Sequence, residues 1–417
     1  MKDYAFILVV AAAVTYLLTP IVRRFAFFIK AAPEPRERDV HTKPIPRLGG
    51  LAMFGGLIAG LAVAYRLTYT QQAFPPGTRT VTGLLGAAGL LVVIGVVDDR
   101  FGMSPISKLA GQVAAGGILV WSGEFIPWLP WPGSNTLTLE PDLSYTLTIF
   151  LVVVTINAVN FIDGLDGLAA GVVGIGGLAY LAYSYTLTNS VNLPSQSVPA
   201  VVSAVLAGVC IGFLPHNFNP ARIFMGDTGS MLLGLLLAYG PISSIASLDP
   251  NVLVTYDQVH PVDRYPTILP VLLPIAIWLI PYADLLLAVI RRTAAGKSPF
   301  AADRKHLHHR LQSMGHSDRT AVLLMYLWAA LFAGGLVGLS VIRISLIWFA
   351  IATVVMIGAL VMATAPQLRP WNGNGHGDGK AAGPRMGPRR VTGNGGAAIA
   401  TGRSAKSERD AGQAARP

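Results

Sequence analysis

Charged residues are scarce. Asp, Glu, Lys and Arg make up 12% of the 417 residues, against about 25% in an ordinary soluble domain. A soluble chain of this length could not cover its surface with so few charges, and 53% of its residues are hydrophobic. The scarcity also excludes a nucleic-acid binder. The formal charge is +10, but such proteins owe their basic character to a dense stripe of Lys and Arg, which is missing here. Cysteine is nearly absent: Cys210 stands alone, which excludes an intrachain disulfide and any zinc-finger spacing. Its apolar run makes it a small core residue. A cleavable leader is not evident, because Lys2 is offset by Asp3 and no small-x-small site follows the apolar stretch. The N-terminus therefore reads as an uncleaved first span. No internal repeat of the kind carried by inverted-repeat transporters is visible.

What is present is a series of long apolar runs. About 20 apolar residues cross a bilayer core as a helix, and eleven runs meet that measure: 4–22, 49–66, 80–97, 106–121, 144–160, 165–186, 198–214, 228–247, 266–290, 320–340 and 344–364. The last two are separated because a single helix over 320–364 would be about 67 Å long at 1.5 Å per residue, twice the hydrocarbon thickness. A hairpin near Arg343 resolves this. The expected fold is an all-α, polytopic membrane bundle over residues 1–365. From 366 to 417 the composition turns to Gly, Ala, Arg, Pro and Asn, too poor in large apolar groups to offset chain entropy, so a disordered basic tail is expected there.

Lys and Arg fix the expected orientation. With the N-terminus outside, 26 of the 31 fall on the cytoplasmic side, nine of them in the tail, and only Lys2, Arg66, Arg79, Arg264 and Arg343 lie outside. The net charge thus reports topology, and the C-terminus is expected inside.

The polar chemistry sits in the cytoplasmic loops. The first ends in His41-Thr42-Lys43-Pro44-Ile45-Pro46-Arg47-Leu48-Gly49-Gly50, either an ordinary positive-inside loop or one whose glycines let backbone approach a ligand or a helix. The second carries Asp98-Asp99-Arg100, then Lys108. Adjacent carboxylates at a span end repel each other and persist best beside a cation such as Mg²⁺, the alternative being a solvated pair. The third reads Asn160-Phe161-Ile162-Asp163-Gly164-Leu165-Asp166-Gly167, two acids with no Lys or Arg beside them. The fourth runs from His216-Asn217 through Phe224-Met225-Gly226-Asp227-Thr228. Asp227 is placed there as an N-cap or a metal ligand, and Phe224 as a flat surface for a base. The fifth gathers Asp303-Arg304-Lys305-His306-Leu307-His308-His309-Arg310, a cation cluster better suited to phosphate than to zinc. These groups fall in alternate loops, on one membrane face. Transporters and channels place ionisable groups near the midplane instead.

The set HTKPIPRLGG, VVDDRFGMSPISK, NAVNFIDGLDGLAAG, NPARIFMGDTGS and DRKHLHHRL resembles the polyprenyl-phosphate N-acetylhexosamine-1-phosphate transferases, in order and over residues 1–365. The resemblance implies a helical membrane bundle with a cytoplasmic active-site cleft in a bacterial cell membrane. It implies transfer of a sugar-1-phosphate from a UDP-sugar to a polyprenyl phosphate, with release of UMP and use of Mg²⁺, Mn²⁺ being a second option. Partners implied are those two substrates and the membrane, with no nucleic acid; a homodimer is left open. The muramoyl-pentapeptide branch has consecutive histidines where this chain has His306-Leu307-His308-His309, so the resemblance is nearer to the undecaprenyl-phosphate N-acetylglucosamine-1-phosphate transferases, with decaprenyl phosphate as an alternative lipid. It implies Asp227 at the metal, Asp99 assisting the metal or Lys108, Asp98 as base or as the anion that positions the lipid phosphate, and Lys43 and Lys108 against phosphate. Asn160, Asp163, Asp166, Asn217 and Phe224 would form the nucleoside pocket, and Arg304, His306, His308 and His309 would frame the pyrophosphate and sugar.

Overall fold

The computed structural model describes residues 1–31, 44–71, 73–74, 77–131, 135–190, 197–248 and 318–341, together with 351 and 354, all within one compact unit, Met1–Leu368. The described residues form ten helices: α1 (Lys2–Phe28), α2 (Gly49–Arg66), the single turn α3 (Thr68–Gln71), α4 (Thr80–Phe101), α5 (Pro105–Trp121), α6 (Pro141–Ile162), α7 (Leu168–Ser190), α8 (Ser197–Asn217), α9 (Gly226–Ser247) and α10 (Asp318–Val341). Seven of them, α1, α2, α4, α6, α7, α8 and α9, are long and apolar enough to cross a membrane. The protein is a polytopic helical membrane protein. The expected spans 266–290 and 344–364, and the tail, lie outside the described residues.

Local chemistry sets the helix ends. Ser104 caps α5 by accepting from the Ser107 amide at 3.1 Å, and Pro105 fills the first helical position, where no N–H is needed. Pro141 does the same for α6. Gly102, at φ +76°, lets the chain leave α4 through a backbone conformation that side chains disfavour. Gly167, at φ +82°, ends the turn before α7, which is why that helix starts at Leu168 rather than at the expected 165.

α9 is the central helix. It packs against α2, α4, α6, α7 and α8, and every residue from Thr228 to Ile245 is buried. α1 lies on α2 and α8, and α10 on α7. The outer faces are apolar: Phe28 is 83% exposed, Ile106 79% and Trp121 65%. Water would not tolerate so broad an apolar surface, whereas lipid does.

A β-hairpin joins α5 to α6, an addition to the all-α expectation. Its strands β1 (Trp128–Trp131) and β2 (Asn135–Thr138) pair antiparallel with Trp128 opposite Thr138. It is anchored by Trp128, whose Nε1 donates to the Leu248 carbonyl at 3.1 Å, just past the end of α9. Beside it Glu124 is only 7% exposed. Burial pushes its carboxyl above the usual range, partly offset by the hydroxyls of Ser243 and Thr80. The folded chain therefore holds this proton more tightly than the unfolded chain. Stability falls as pH rises from the ordinary glutamate range, near 4.5, through the raised folded value. Glu124→Gln should remove that slope, so that its unfolding midpoint exceeds that of the parent by about 2–4 °C at alkaline pH. Equal midpoints across a pH series in detergent would contradict the assignment.

Candidate active site

The C-terminal end of α4, the N-terminal end of α5, the C-terminal end of α6 and the N-terminal end of α9 meet at one end of the bundle. Close approach there depends on glycine. A methyl group on Gly95 of α4 would fall on the Thr228 backbone, and one on Gly50 of α2 on the Thr228–Gly229 backbone. The helices therefore touch main chain to main chain. The first loop is stitched to the same place: Phe224 N donates to the Pro46 carbonyl at 2.9 Å, Gly49 N to the Phe224 carbonyl at 2.9 Å and Gly50 N to the Met225 carbonyl at 3.0 Å. The glycines of the first loop thus serve a backbone approach to a helix.

At the centre the Lys108 ammonium lies between two carboxylates, 2.7 Å from Asp98 Oδ2 and 2.5 Å from Asp227 Oδ2. The other oxygen of Asp98 accepts from the Met103 amide at 2.7 Å. The other oxygen of Asp227 accepts from Asn160 Nδ2 at 3.0 Å, and that same amide donates to Ser230 Oγ at 3.0 Å. Asp99 turns away from Lys108. Its Oδ1 accepts from the Asp227 amide at 2.9 Å, and its Oδ2 from the Thr228 amide at 3.1 Å and the Thr228 hydroxyl at 2.7 Å. One oxygen from each of Asp98, Asp99 and Asp227 lies within 4.8 Å of the others. Hard carboxylate donors at that spacing suit Mg²⁺, and the Lys108 ammonium already occupies a cation position between two of them.

Asp163 caps α6 beside this cluster. Burial, then the negative charges of Asp227, Asp99 and Asp166, push its carboxyl well above the usual range, with Arg47 pulling the other way. The site is thus rich in negative charge, and a further cation would be welcome.

The remaining expected residues fall into two groups. Asp166 and Asn217 brace the third and fourth loops. Asp166 Oδ2 accepts from the Ala221 amide at 2.9 Å and Asn219 Nδ2 at 3.2 Å, while Asn217 accepts from the Gly167 amide at 3.1 Å and donates to the Ile223 carbonyl at 3.0 Å. Phe224 is half-buried on the strand-like bridge to Arg47. Lys43, Arg304, His306, His308 and His309 lie outside the described residues.

Three supports were not foreseen. Tyr326 of α10 donates its hydroxyl to the Gly167 carbonyl at 2.5 Å, Arg319 Nε donates to the Asn219 carbonyl at 3.1 Å, and Gln112 accepts from Asn157 at 2.6 Å. Nothing distinguishes a tyrosine in an apolar helix from core in the sequence alone. Gln112, a polar residue in an apolar helix, was a usable signal.

Residues 81–245 match glycosyl transferase family 4. The chain is 40% identical to the decaprenyl-phosphate N-acetylglucosaminephosphotransferase of Mycobacterium tuberculosis H37Rv over 377 residues, covering 89% of each chain. It is 34% identical to a probable undecaprenyl-phosphate N-acetylglucosaminyl 1-phosphate transferase of Bacillus subtilis, covering 84% of this chain and 89% of that one. It is 28% identical to the undecaprenyl-phosphate alpha-N-acetylglucosaminyl 1-phosphate transferase of Escherichia coli K12, covering 76% and 79%.

Proposed function

The chain belongs to glycosyl transferase family 4, among relatives named as polyprenyl-phosphate N-acetylglucosamine-phosphate transferases, and from that premise we propose that it transfers N-acetylglucosamine-1-phosphate from UDP-N-acetylglucosamine to a polyprenyl phosphate, undecaprenyl or decaprenyl. The reaction releases UMP and begins synthesis of a cell-envelope polysaccharide. The observation that carries this reading is the pairing of Asp98 and Asp227 across Lys108 at one end of the helix bundle. A transporter would be expected to carry such groups in mid-bundle.

An oxygen of the lipid phosphate attacks the phosphorus that carries the sugar. The bond between that phosphorus and the oxygen bridging to the uridine-bearing phosphate breaks, and UMP leaves with the electron pair. Two anions must meet, so the work of the site is to lower their repulsion. The Lys108 ammonium supplies one positive charge at the meeting point. A phosphate monoester with a second pKa near 6 is already mostly dianionic at pH 7, so Asp98 serves better to orient the attacking phosphate than to remove a proton. Direct attack on the sugar-bearing phosphorus is favoured over a covalent intermediate on Asp227. Asp227 would hold Mg²⁺, or Mn²⁺ in its stead, which would neutralise charge on the pyrophosphate. The third loop, braced by Asp166, Asn217 and Tyr326, would present Asp163 to the nucleoside, with Asn160 at the end of α6 and Phe224 completing that side of the site. The topology read from Lys and Arg puts this end of the bundle on the cytoplasmic face of a bacterial cell membrane, with eleven spans and the N-terminus outside.

Membranes containing the protein, supplied with Mg²⁺, polyprenyl phosphate and either UDP-N-acetylglucosamine or UDP-N-acetylmuramoyl-pentapeptide, test this directly. UMP and a lipid-linked sugar should form from the first donor alone. Absence of UMP from both donors would overturn the enzymatic reading.

A further inference from the structure

We propose that Asp99 is a positioning residue: it acts as the N-cap of α9, supplied from 128 residues away, and holds the main chain of Asp227 in place without itself ligating the metal. The inference rests on the assignment of Asp227 as metal ligand.

The argument starts from what α9 lacks. Met225 occupies its N-cap position and offers no side-chain oxygen to the first turn, although helix N-termini carry unpaired N–H groups and a partial positive charge. Asp99 fills that role. Its two oxygens take both the Asp227 and Thr228 amides and the Thr228 hydroxyl. Gly226, at φ +67°, leaves room for the carboxylate, because a Cβ there would collide with it. Gly95 stands one helical turn before Asp99 on the same face of α4 and lets that face close on the Thr228 backbone. Everything around Asp99 is thus arranged to bring one carboxylate to one helix end.

Its neighbour has a different task. Successive residues on a helix point about 100° apart, so Asp98 faces Lys108 and the Met103 amide while Asp99 faces α9. The two adjacent acids thus divide into an orienting group and a cap. Three donors fill three of about four acceptor sites on its two oxygens, so Asp99 is committed chiefly to the helix end.

The full chain in detergent, with Mn²⁺ as probe, decides the matter. Half-saturation is followed by water-proton relaxation, and kcat and KM are measured in parallel for Asp99→Asn, Asp99→Ala, Thr228→Val and Asp227→Asn. Asp99→Asn and Thr228→Val should keep Mn²⁺ half-saturation within about twofold of the parent while kcat falls about 10- to 100-fold. Asp99→Ala should fall further than Asp99→Asn, since the Asn oxygen still accepts one amide. The double variant Asp99→Asn/Thr228→Val should lose little beyond Asp99→Asn, because both changes cut the same link. A rise of about tenfold or more in Mn²⁺ half-saturation for Asp99→Asn, with Thr228→Val unaffected, would overturn the proposal, as would an unchanged kcat. If Asp99→Asn does not fold, an unchanged kcat for Thr228→Val overturns the proposal. Failure of Asp227→Asn to weaken Mn²⁺ binding would overturn the metal assignment instead, and so separates the two.

Discussion

Asp227→Asn should lower turnover by about a thousandfold or more, with the protein still folded and extractable. The magnitude follows from removing a charged group that acts where charge develops in the transition state. The fold should survive for geometric reasons. The Asn oxygen still accepts from Asn160, the main-chain amide of residue 227 still donates to Asp99, and Lys108 keeps its pair with Asp98. Initial rates of UMP release over a Mg²⁺ titration, beside a thermal unfolding curve, provide the check. Residual activity within tenfold of the parent would remove Asp227 from the metal assignment.

Lys108→Met produces a different failure, in which stability and activity move together and depend on divalent cation. The ammonium separates Asp98 and Asp227, which are both mostly buried. Without it two carboxylates face each other across a partly dehydrated gap. Losing one partner of a fully buried ion pair costs about 3–5 kcal/mol, and solvent access here reduces that to about 1–3 kcal/mol. The unfolding midpoint should fall in EDTA and recover on adding Mg²⁺, by more than the parent gains, because the metal replaces the missing positive charge. Turnover should stay at least about a hundredfold down even at saturating Mg²⁺. Equal Mg²⁺-dependent shifts in parent and variant would show that the cation binds elsewhere.

Much of the bundle was legible because membrane helices must be long and apolar, and α1, α2, α4, α6, α7, α8, α9 and α10 lie where the apolar runs put them. Helix ends were less legible. Start signals such as Ser104-Pro105 are local, but α9 begins where a residue of α4 caps it, and no window along the chain contains both. The hairpin over Trp128–Thr138 was missed because two four-residue strands, one with a central proline, leave too short an alternation to register. The acids of the site stood out because they are costly next to a membrane. Their partners did not: Asp98 and Asp99 are neighbours in the chain, but one faces Lys108 and the other the first turn of α9. Asn217 and Asp166 were recognised as polar residues in the right loops, while their hydrogen bonds to Gly167, Ile223 and Ala221 depend on contacts spanning 6 to 55 residues of sequence.

The glycine contacts at Gly50 and Gly95 bear on how such a site can change. A joint made of side chains has slack, since rotamers can shift to absorb a substitution. Here two helices abut the first turn of α9 through peptide groups, which cannot turn aside, so Asp227 is mounted on a bearing with no adjustable part. Variation in the donor sugar or the lipid must then be absorbed by the loops that surround the joint, leaving the joint itself as the fixed point against which different substrates are presented.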